Sequence, residues 1–167
     1  KLEDIGCSEE LPETKETLEG NAEQKARYVY EKYGYNCFAD DTGLEINALD
    51  GKPGVYSARY AGKSKDSMQN MKKVLEEMKN EWNRSARFRT VIALIINGKT
   101  IFFEGLVEGK ILHELHGDKG FGYDPIFLPE NHTQSFAQMD LQEKNAISHR
   151  GKAVQQLVKF LNMHYSK

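Results

Sequence analysis

The chain has 167 residues, of which 39% are hydrophobic and 29% are charged, a composition typical of one soluble globular domain with room for a core. Its longest apolar run, residues 91–96, is far shorter than the roughly 18 residues that a membrane-spanning helix needs. The net charge of −2 argues against binding a nucleic-acid polymer through bulk electrostatics. Two cysteines make neither a disulfide framework nor a zinc site. We therefore expect a single cytoplasmic domain over residues 1–167, without a membrane partner.

The first third of the chain is predicted to hold one helix and an acidic strand-turn-strand. After a polar, acidic opening segment, periodic apolar residues predict a helix that starts at Thr17 and stops at Gly34. The short apolar run of residues 37–39 predicts a buried strand. Thr42 and Gly43 then predict a tight turn, and the alternation of residues 44–49 predicts a second, half-buried strand.

The middle of the chain is predicted to form a helix and a β-hairpin. The helix is expected to be capped by Ser64 and to bury one stripe of side chains: Met68, Met71, Leu75, Met78 and Trp82. Residues 88–96 and 99–107 predict the two strands of the hairpin, because the Asn-Gly pair between them favours a type I′ turn. Arg87 and Arg89, at the start of the first strand, are expected on a solvated face.

Two adjacent carboxylates, Asp40 and Asp41, follow the first predicted strand. A lone pair of this kind is most simply a solvated turn, since aspartate is common in turns. Held together by a fold, however, two carboxylates repel each other unless a proton or a cation lies between them. Mg²⁺ suits such a place, because one or two carboxylates and substrate phosphates commonly hold it. The pair is therefore a candidate metal site.

Two further segments carry side chains suited to a nucleotide. Glycines flank Phe121, so the backbone can approach a ligand while the ring stacks on a base. Ser148 is a predicted N-cap, which places His149 and Arg150 in the first turn of the last helix, where basic residues oppose the helix dipole. Such placement favours a role for these donors in binding a ligand. The same helix is predicted to bury Ala153, Val154, Leu157, Val158 and Leu161.

Four longer runs occur in the order that is typical of one enzyme family. They are residues 39–44 (ADDTGL), 53–62 (PGVYSARYAG), 120–127 (GFGYDPIF) and 143–153 (EKNAISHRGKA). Together they closely resemble the Ham1-like inosine triphosphate pyrophosphatases, and the resemblance extends over nearly the whole chain.

This resemblance implies an α/β fold in which an elongated mixed β-sheet and its flanking helices form two lobes around a central cleft. It also implies an activity, the Mg²⁺-dependent hydrolysis of ITP, dITP and XTP to the monophosphate and pyrophosphate. Such hydrolysis removes these non-standard purines from the nucleotide pool. Members of the family form homodimers, so a homodimer is expected here.

The resemblance also assigns roles to residues. Asp41 matches the family's proton acceptor and Mg²⁺ ligand, Asp40 stands beside it, and Glu13 is the nearest match to a further metal-binding glutamate. Lys25 matches a lysine near the phosphates, and Thr42 stands where serine is commoner. The positions that bind the nucleoside end are matched by Phe121, Gly122, Tyr123, Asp124, Lys144, His149 and Arg150.

One feature of the family is not found. Its members open with a strand and a Ser/Thr-x-Asn-x-x-Lys loop that grips the triphosphate, whereas residues 4–6 here fit the family's second strand better. We therefore expect this chain to lack the first strand and its loop. Two alternatives stay open for this reason: a nucleotide-binding module without turnover, and a related nucleotide phosphatase with a different base preference.

Selectivity for 6-keto purines is expected to arise at the edge of the ring. ITP and XTP present an acceptor oxygen at position 6, whereas ATP presents a donor amino group. Lys144 and Arg150 can only donate, and His149 donates from both nitrogens when it is protonated. A buried donor left unpaired costs about 1–3 kcal/mol, so two of them would disfavour ATP by roughly a hundredfold.

Overall fold

The structure is a computed structural model that describes residues 1–165. Its centre is a four-stranded sheet made, in order across the sheet, of β1 (Cys37–Ile46), β2 (Ser85–Ile96), β3 (Lys99–Ile111) and β4 (Phe127–Pro129). Every pair of neighbouring strands is antiparallel. The expected α/β class is confirmed, and the described strands form an antiparallel sheet where the resemblance implies a mixed one.

The hairpin of β2 and β3 forms as its turn residues predict. Asn97 and Gly98 adopt φ values of 51° and 81°, the left-handed conformation that a type I′ turn requires. Arg89 departs from its expected solvated position, since its side chain is only 15% exposed and pairs with Glu19 and Glu104. The sheet face near Arg89 is therefore covered by charged side chains that neutralise one another.

β1 is one continuous strand, and the predicted turn at Thr42 and Gly43 is wrong. Gly43 pairs with Arg89 in the β1–β2 ladder. A Cβ atom at Gly43 would lie 2.5 Å from the carbonyl oxygen of Gly54. Glycine is needed here because the 3₁₀ helix Gly54–Arg59 approaches the strand closely, and no turn is involved. The strand ends at Ile46, where a 3₁₀ turn begins.

The helices are α1 (Leu18–Tyr33), α2 (Ser67–Glu77), α3 (Leu141–Ile147) and α4 (His149–Tyr165). The predicted ends of α1 are confirmed: the Thr17 side chain accepts a hydrogen bond from the N–H of Gly20, and Gly34 closes the helix with φ 76°. Asp66, rather than Ser64, caps α2. Within residues 1–165, none of the helices has both the length and the apolar character needed to cross a membrane.

Three apolar clusters make the core. One lies between α1 and one face of the hairpin and contains Leu18, Ala22, Ala26, Val91, Ala93 and Ile95. A second lies between α4 and the opposite face and contains Ile92, Leu94, Phe103, Ala153 and Leu157. The third surrounds Phe88, toward the open end of the hairpin, and includes residues of α2 and β4. The first two clusters thus form one lobe and the third cluster forms the other, at the two ends of the hairpin.

Phe38, in the run predicted as a buried strand, is 56% exposed, and four apolar side chains that helical spacing predicted to be buried are exposed as well. Met68 lies on the solvent side of α2, and Trp82 is 99% exposed because α2 ends before it. Val154 and Val158 are also exposed, since α4 turns only a narrow stripe centred on Leu157 toward the sheet. Helical spacing alone predicted the direction of these side chains, and the width of the packed stripe decided their burial.

Candidate active site

The carboxylate of Asp41 lies on the face of β1 that α1 covers. Asp41 pairs with Val91, which packs against α1. Lys25, on α1, donates from Nζ to the Glu13 carboxylate at 2.7 Å. The same Nζ lies 3.8 Å from Asp41 Oδ1 and donates to the backbone carbonyl of Asp40 at 2.6 Å. We call the group of Glu13, Lys25 and Asp41 the acidic pocket.

Asp41 is partly buried without a full set of partners. Among residues 1–165, its Oδ2 atom finds no hydrogen-bond partner. Burial raises the pKa of Asp41 to about 6 against the lowering effect of Lys25, and the negative charge of Glu13 adds to the rise. A carboxylate that titrates near neutral pH and keeps an unpaired oxygen is suited to accept a proton or to hold a cation.

The acidic pocket has oxygen donors of the kind that Mg²⁺ prefers. The carboxylates of Glu13 and Asp41 both lie beside Lys25, and Asp41 Oδ2 is an oxygen without a partner. Among residues 1–165, no three side chains of His, Cys, Asp or Glu gather into a metal site made by protein alone. The pocket therefore fits the mode in which one or two carboxylates and substrate phosphates share the ion.

Asp40 points to the other face of β1. It pairs with Ile92, which packs against α4, and its carboxylate accepts a hydrogen bond from Arg150 at 2.8 Å. Successive residues of a strand point to opposite faces. Because β1 continues through this point, the structure separates Asp40 from Asp41, and the expectation that the two carboxylates flank one cation is not met.

A second group of expected site residues lies on the same side of the sheet as Asp40. Lys144 is buried, and its Nζ donates to the Asp124 carboxylate at 2.5 Å and lies 4.2 Å from the centre of the Phe121 ring. Asp124 also accepts from the N–H of Phe121 at 3.0 Å. The ring of Phe121 is 67% exposed and suited to stacking on a base. The basic-aromatic cluster comprises Phe121, Asp124, Lys144, His149 and Arg150.

His149 is buried in an aromatic environment. Its ring stacks on Phe88 with centroids 4.7 Å apart, and Phe136 lies 6.3 Å away. Burial lowers the pKa of His149 to about 3, and the positive charges of Lys144 and Arg150 lower it further. The imidazole is therefore neutral near pH 7 and donates from one nitrogen only, so the expected donation from both nitrogens does not apply. Its Nδ1 atom is buried without a partner.

Gly122 and Tyr123 shape the loop that carries Phe121. Gly122 adopts φ 60°, in the left-handed region. Tyr123 is buried, and its hydroxyl donates to the carbonyl oxygen of Ser57 at 2.6 Å. Ser57 in turn accepts from the N–H of Leu44 in β1 through its own hydroxyl. The side chain of Tyr123 thus joins the loop to β1 through Ser57, and its contact with the nucleoside stays a prediction.

Three residues near the site were not identified from the sequence. Thr90 is buried opposite Thr42, with their hydroxyl oxygens 2.7 Å apart. The ring centre of Phe136 lies 5.7 Å from Lys144 Nζ, and Asn21 is buried on α1. The spacing of four between Asn21 and Lys25 puts both on one helix face, which could have indicated Asn21. Thr90 and Phe136 could not have been identified from sequence spacing, because strand register and side-chain packing bring them to the site.

A ligand that contacts both groups must cross the free edge of β1. The acidic pocket lies on the α1 face and the basic-aromatic cluster on the α4 face. Within the described part of the chain, β1 bonds to β2 along one edge, and along the other only Glu45 forms a bridge, with Pro53. Residues 40–42 are therefore open at this edge. This edge therefore lies between the face that carries the acidic pocket and the face that carries the basic-aromatic cluster.

The chain is similar to known proteins over nearly all of its length. A family model described as the Ham1 family matches residues 1–160. The chain is 58% identical over 160 residues to a dITP/XTP pyrophosphatase of Flavobacterium johnsoniae, covering 96% of this chain and 83% of that protein. It is 47% identical over 163 residues to a dITP/XTP pyrophosphatase of Bacillus subtilis, covering 96% and 82%. The Staphylococcus aureus Ham1 protein superposes with a TM-score of 0.93 at 37% identity, covering 97% of this chain and 85% of that one. The chain therefore belongs to the Ham1 family.

Proposed function

We propose that this protein hydrolyses the non-standard purine nucleoside triphosphates dITP, ITP and XTP to the monophosphate and pyrophosphate. Membership of the Ham1 family and 55–58% identity to curated dITP/XTP pyrophosphatases support this function. The observation that carries the proposal is the acidic pocket, in which partly buried Asp41 keeps, among the described residues, an unpaired oxygen beside Lys25 and Glu13. A protein that only bound a nucleotide would gain nothing from a carboxylate whose pKa is raised by burial.

In the proposed reaction Asp41 orients the attacking water and accepts its proton. A pKa of about 6 leaves Asp41 ionised at neutral pH while keeping it more basic than an ordinary aspartate. The water oxygen bonds to the α-phosphorus, the bond from that phosphorus to the bridging oxygen breaks, and the electron pair leaves with pyrophosphate. The ammonium of Lys25 offsets the negative charge of the phosphates during this step.

We further propose Mg²⁺ as the cofactor, with Asp41 and Glu13 as its protein ligands. The carboxylate oxygens of the acidic pocket support this choice, because hard oxygen donors and phosphates are the ligands that Mg²⁺ prefers. When bound, the ion would neutralise phosphate charge. Asp40 stays outside the proposed ligand set because its side chain lies on the opposite face of β1 from Asp41.

We assign the nucleoside end to the basic-aromatic cluster. The exposed ring of Phe121 stacks on the base and contributes affinity but little selectivity between bases. Lys144, Arg150 and one nitrogen of His149 supply the donors that favour an acceptor oxygen at position 6. We assign Thr42, which shares a face of β1 with Asp40, to contacts with the substrate between the two ends.

The homodimer and the cytoplasmic location are also proposals, supported by the family resemblance. A nucleotide-pool enzyme acts where nucleotides are used, which favours the cytoplasm. Light scattering coupled to gel filtration tests the homodimer, for which we expect twice the mass of the 19.1 kDa chain. A monomeric mass at micromolar concentration would contradict it.

The test of the activity is pyrophosphate release from dITP, XTP, ATP and dUTP, each with and without Mg²⁺. We expect Mg²⁺-dependent turnover of dITP and XTP, with kcat/KM for ATP lower by roughly a hundredfold. Binding of dITP without pyrophosphate release would point to a nucleotide-binding module. Faster hydrolysis of dUTP than of dITP would point to a phosphatase with another base preference.

A further inference from the structure

Residues 13–15, which we call the 13–15 segment, lie against α1 and are held there by side-chain amides. Gln24 makes two hydrogen bonds with Thr14: its Oε1 accepts from the Thr14 N–H at 2.9 Å, and its Nε2 donates to Thr14 Oγ1 at 2.8 Å. Asn21 Oδ1 accepts from the N–H of Lys15 at 2.8 Å. Two consecutive backbone donors of an irregular segment thus find their acceptors on one helix.

The spacing on α1 explains how the helix can hold both the segment and its carboxylate. Asn21, Gln24 and Lys25 follow one another at i, i+3 and i+4, so they share one face of the helix. The first two bind residues of the 13–15 segment, and Lys25 binds the carboxylate of Glu13 at 2.7 Å. An ion pair with a partly exposed carboxylate orders a chain segment only weakly. The backbone bonds are therefore what fixes the position of Glu13.

Asn21 also adjoins the other carboxylate of the acidic pocket. Its side chain is 1% exposed, and its amide beside Asp41 lowers the pKa of that carboxyl. One buried amide therefore contacts both the 13–15 segment and Asp41. Burial of an uncharged amide that serves two partners indicates a fixed geometry, since each of its polar atoms must be satisfied.

We propose that Asn21 and Gln24 are positioning residues, which hold the 13–15 segment on α1 so that the carboxylate of Glu13 faces Lys25 and Asp41. Neither side chain has to touch the nucleotide for this role. The inference rests on the proposed function in one respect, the use of Glu13 as a ligand of Mg²⁺.

Gln24→Leu tests the inference, because leucine keeps the size and helix propensity of the residue and removes both bonds to Thr14. In Mg²⁺-free protein we expect amide hydrogen exchange at Thr14 to become about tenfold faster. In the presence of an α,β-methylene analogue of dITP, calorimetry should show an affinity for Mg²⁺ that is about tenfold lower. Glu31→Gln, an exposed change on the same outer surface of α1, is the matched control and should leave both unchanged.

A double-mutant cycle with Glu13→Gln decides whether Gln24 acts through Glu13. If it does, Gln24→Leu lowers the affinity for Mg²⁺ in the otherwise unchanged protein and has no further effect when Glu13 is already glutamine. Equal effects in the two backgrounds would overturn the inference. Unchanged exchange at Thr14 would overturn it too.

Asn21 is tested by a conservative pair of variants. Asn21→Asp keeps the acceptor for the N–H of Lys15 and should keep that amide protected from exchange, whereas Asn21→Ala should lose the protection. Equal protection in both variants would contradict the role of Asn21, and if Asn21→Ala fails to fold, the Gln24 cycle still decides. Failure of the unaltered protein to hydrolyse dITP would instead refute the proposed function, and it would leave the exchange measurements intact.

Discussion

Asp124, which is buried, and Asp41, which is partly buried, differ in how the fold pairs their carboxylates. Asp124 accepts hydrogen bonds from the ammonium of Lys144 and from the N–H of Phe121. Asp41 lies 3.8 Å from an ammonium that it shares with Glu13, and one of its oxygens has no partner. A carboxylate that has a cation to itself serves to build the site, whereas one that shares its cation is available for chemistry.

The difference has its origin in the partners that each carboxylate meets. Within residues 1–165, Lys144 pairs with no anion other than Asp124, so its charge is committed to that carboxylate. Lys25 divides its Nζ among Glu13, the carbonyl of Asp40 and Asp41. Burial then dominates over the weakened attraction and raises the pKa of Asp41. Sharing one cation among several oxygens thus keeps a carboxylate reactive.

The largest expected effect follows from Asp41→Asn. Loss of the group that accepts the proton should lower kcat for dITP on the order of a hundred- to ten-thousandfold. The melting temperature should not fall, because asparagine removes a partly buried and poorly paired charge. Pyrophosphate release and thermal melting on the same sample measure both quantities. Asp40→Asn, at the neighbouring residue, should lower kcat less. Wild-type turnover in Asp41→Asn would show that Asp41 does not accept the proton.

Asp124→Asn, in contrast, should lower the stability of the protein. It leaves the Lys144 ammonium buried without its anion, and breaking a buried ion pair in this way reduces the free energy of unfolding by about 3–5 kcal/mol. Urea unfolding measures this loss. Comparable stability losses in Asp41→Asn and Asp124→Asn would erase the distinction between the two carboxylates.

The dependence of stability on pH sharpens the same distinction. The pKa of Asp41 is raised from 3.8 to about 6 on folding, so the folded protein binds more protons within that window and loses stability as pH rises through it. The loss reaches about 3 kcal/mol at 1.36 kcal/mol per pKa unit. Relative to the unaltered protein, Asp41→Asn should therefore gain stability between about pH 4 and about pH 7.

Urea unfolding without Mg²⁺, repeated over this pH range, measures the effect. The low pKa of His149 gives stability that increases as pH rises from about 3 to its ordinary value of 6.5. This contribution is present in both proteins and cancels in their difference. A difference in stability that stays constant with pH would contradict the raised pKa of Asp41.

The smallest expected effect concerns the choice of base. Arg150→Ala should lower the dITP/ATP ratio of kcat/KM by about tenfold, because it removes a donor toward the oxygen at position 6. Lys144→Ala should act likewise, with a loss of stability because Asp124 then lacks its cation. Phe121→Ala should weaken both nucleotides alike, by about 1–3 kcal/mol. An unchanged ratio in both donor variants would refute this account of selectivity.

Elements that depend on neighbouring residues were predicted well from the sequence. The ends of α1 follow from a threonine that caps the first N–H groups and a glycine that adopts φ > 0. The hairpin turn follows from Asn97 and Gly98, which accept left-handed conformations. The residue types of the site followed equally from the sequence, through the motifs that resemble the Ham1 family.

Only the tertiary structure decided how these residues face one another. Because β1 continues through Gly43, Asp40 and Asp41 point to opposite faces, and a close approach of Gly54 is what requires that glycine. His149 is neutral because aromatic rings from distant segments bury it. Strand register and desolvation depend on partners far away in the chain, so local sequence determines which groups are present and packing determines their charge and direction.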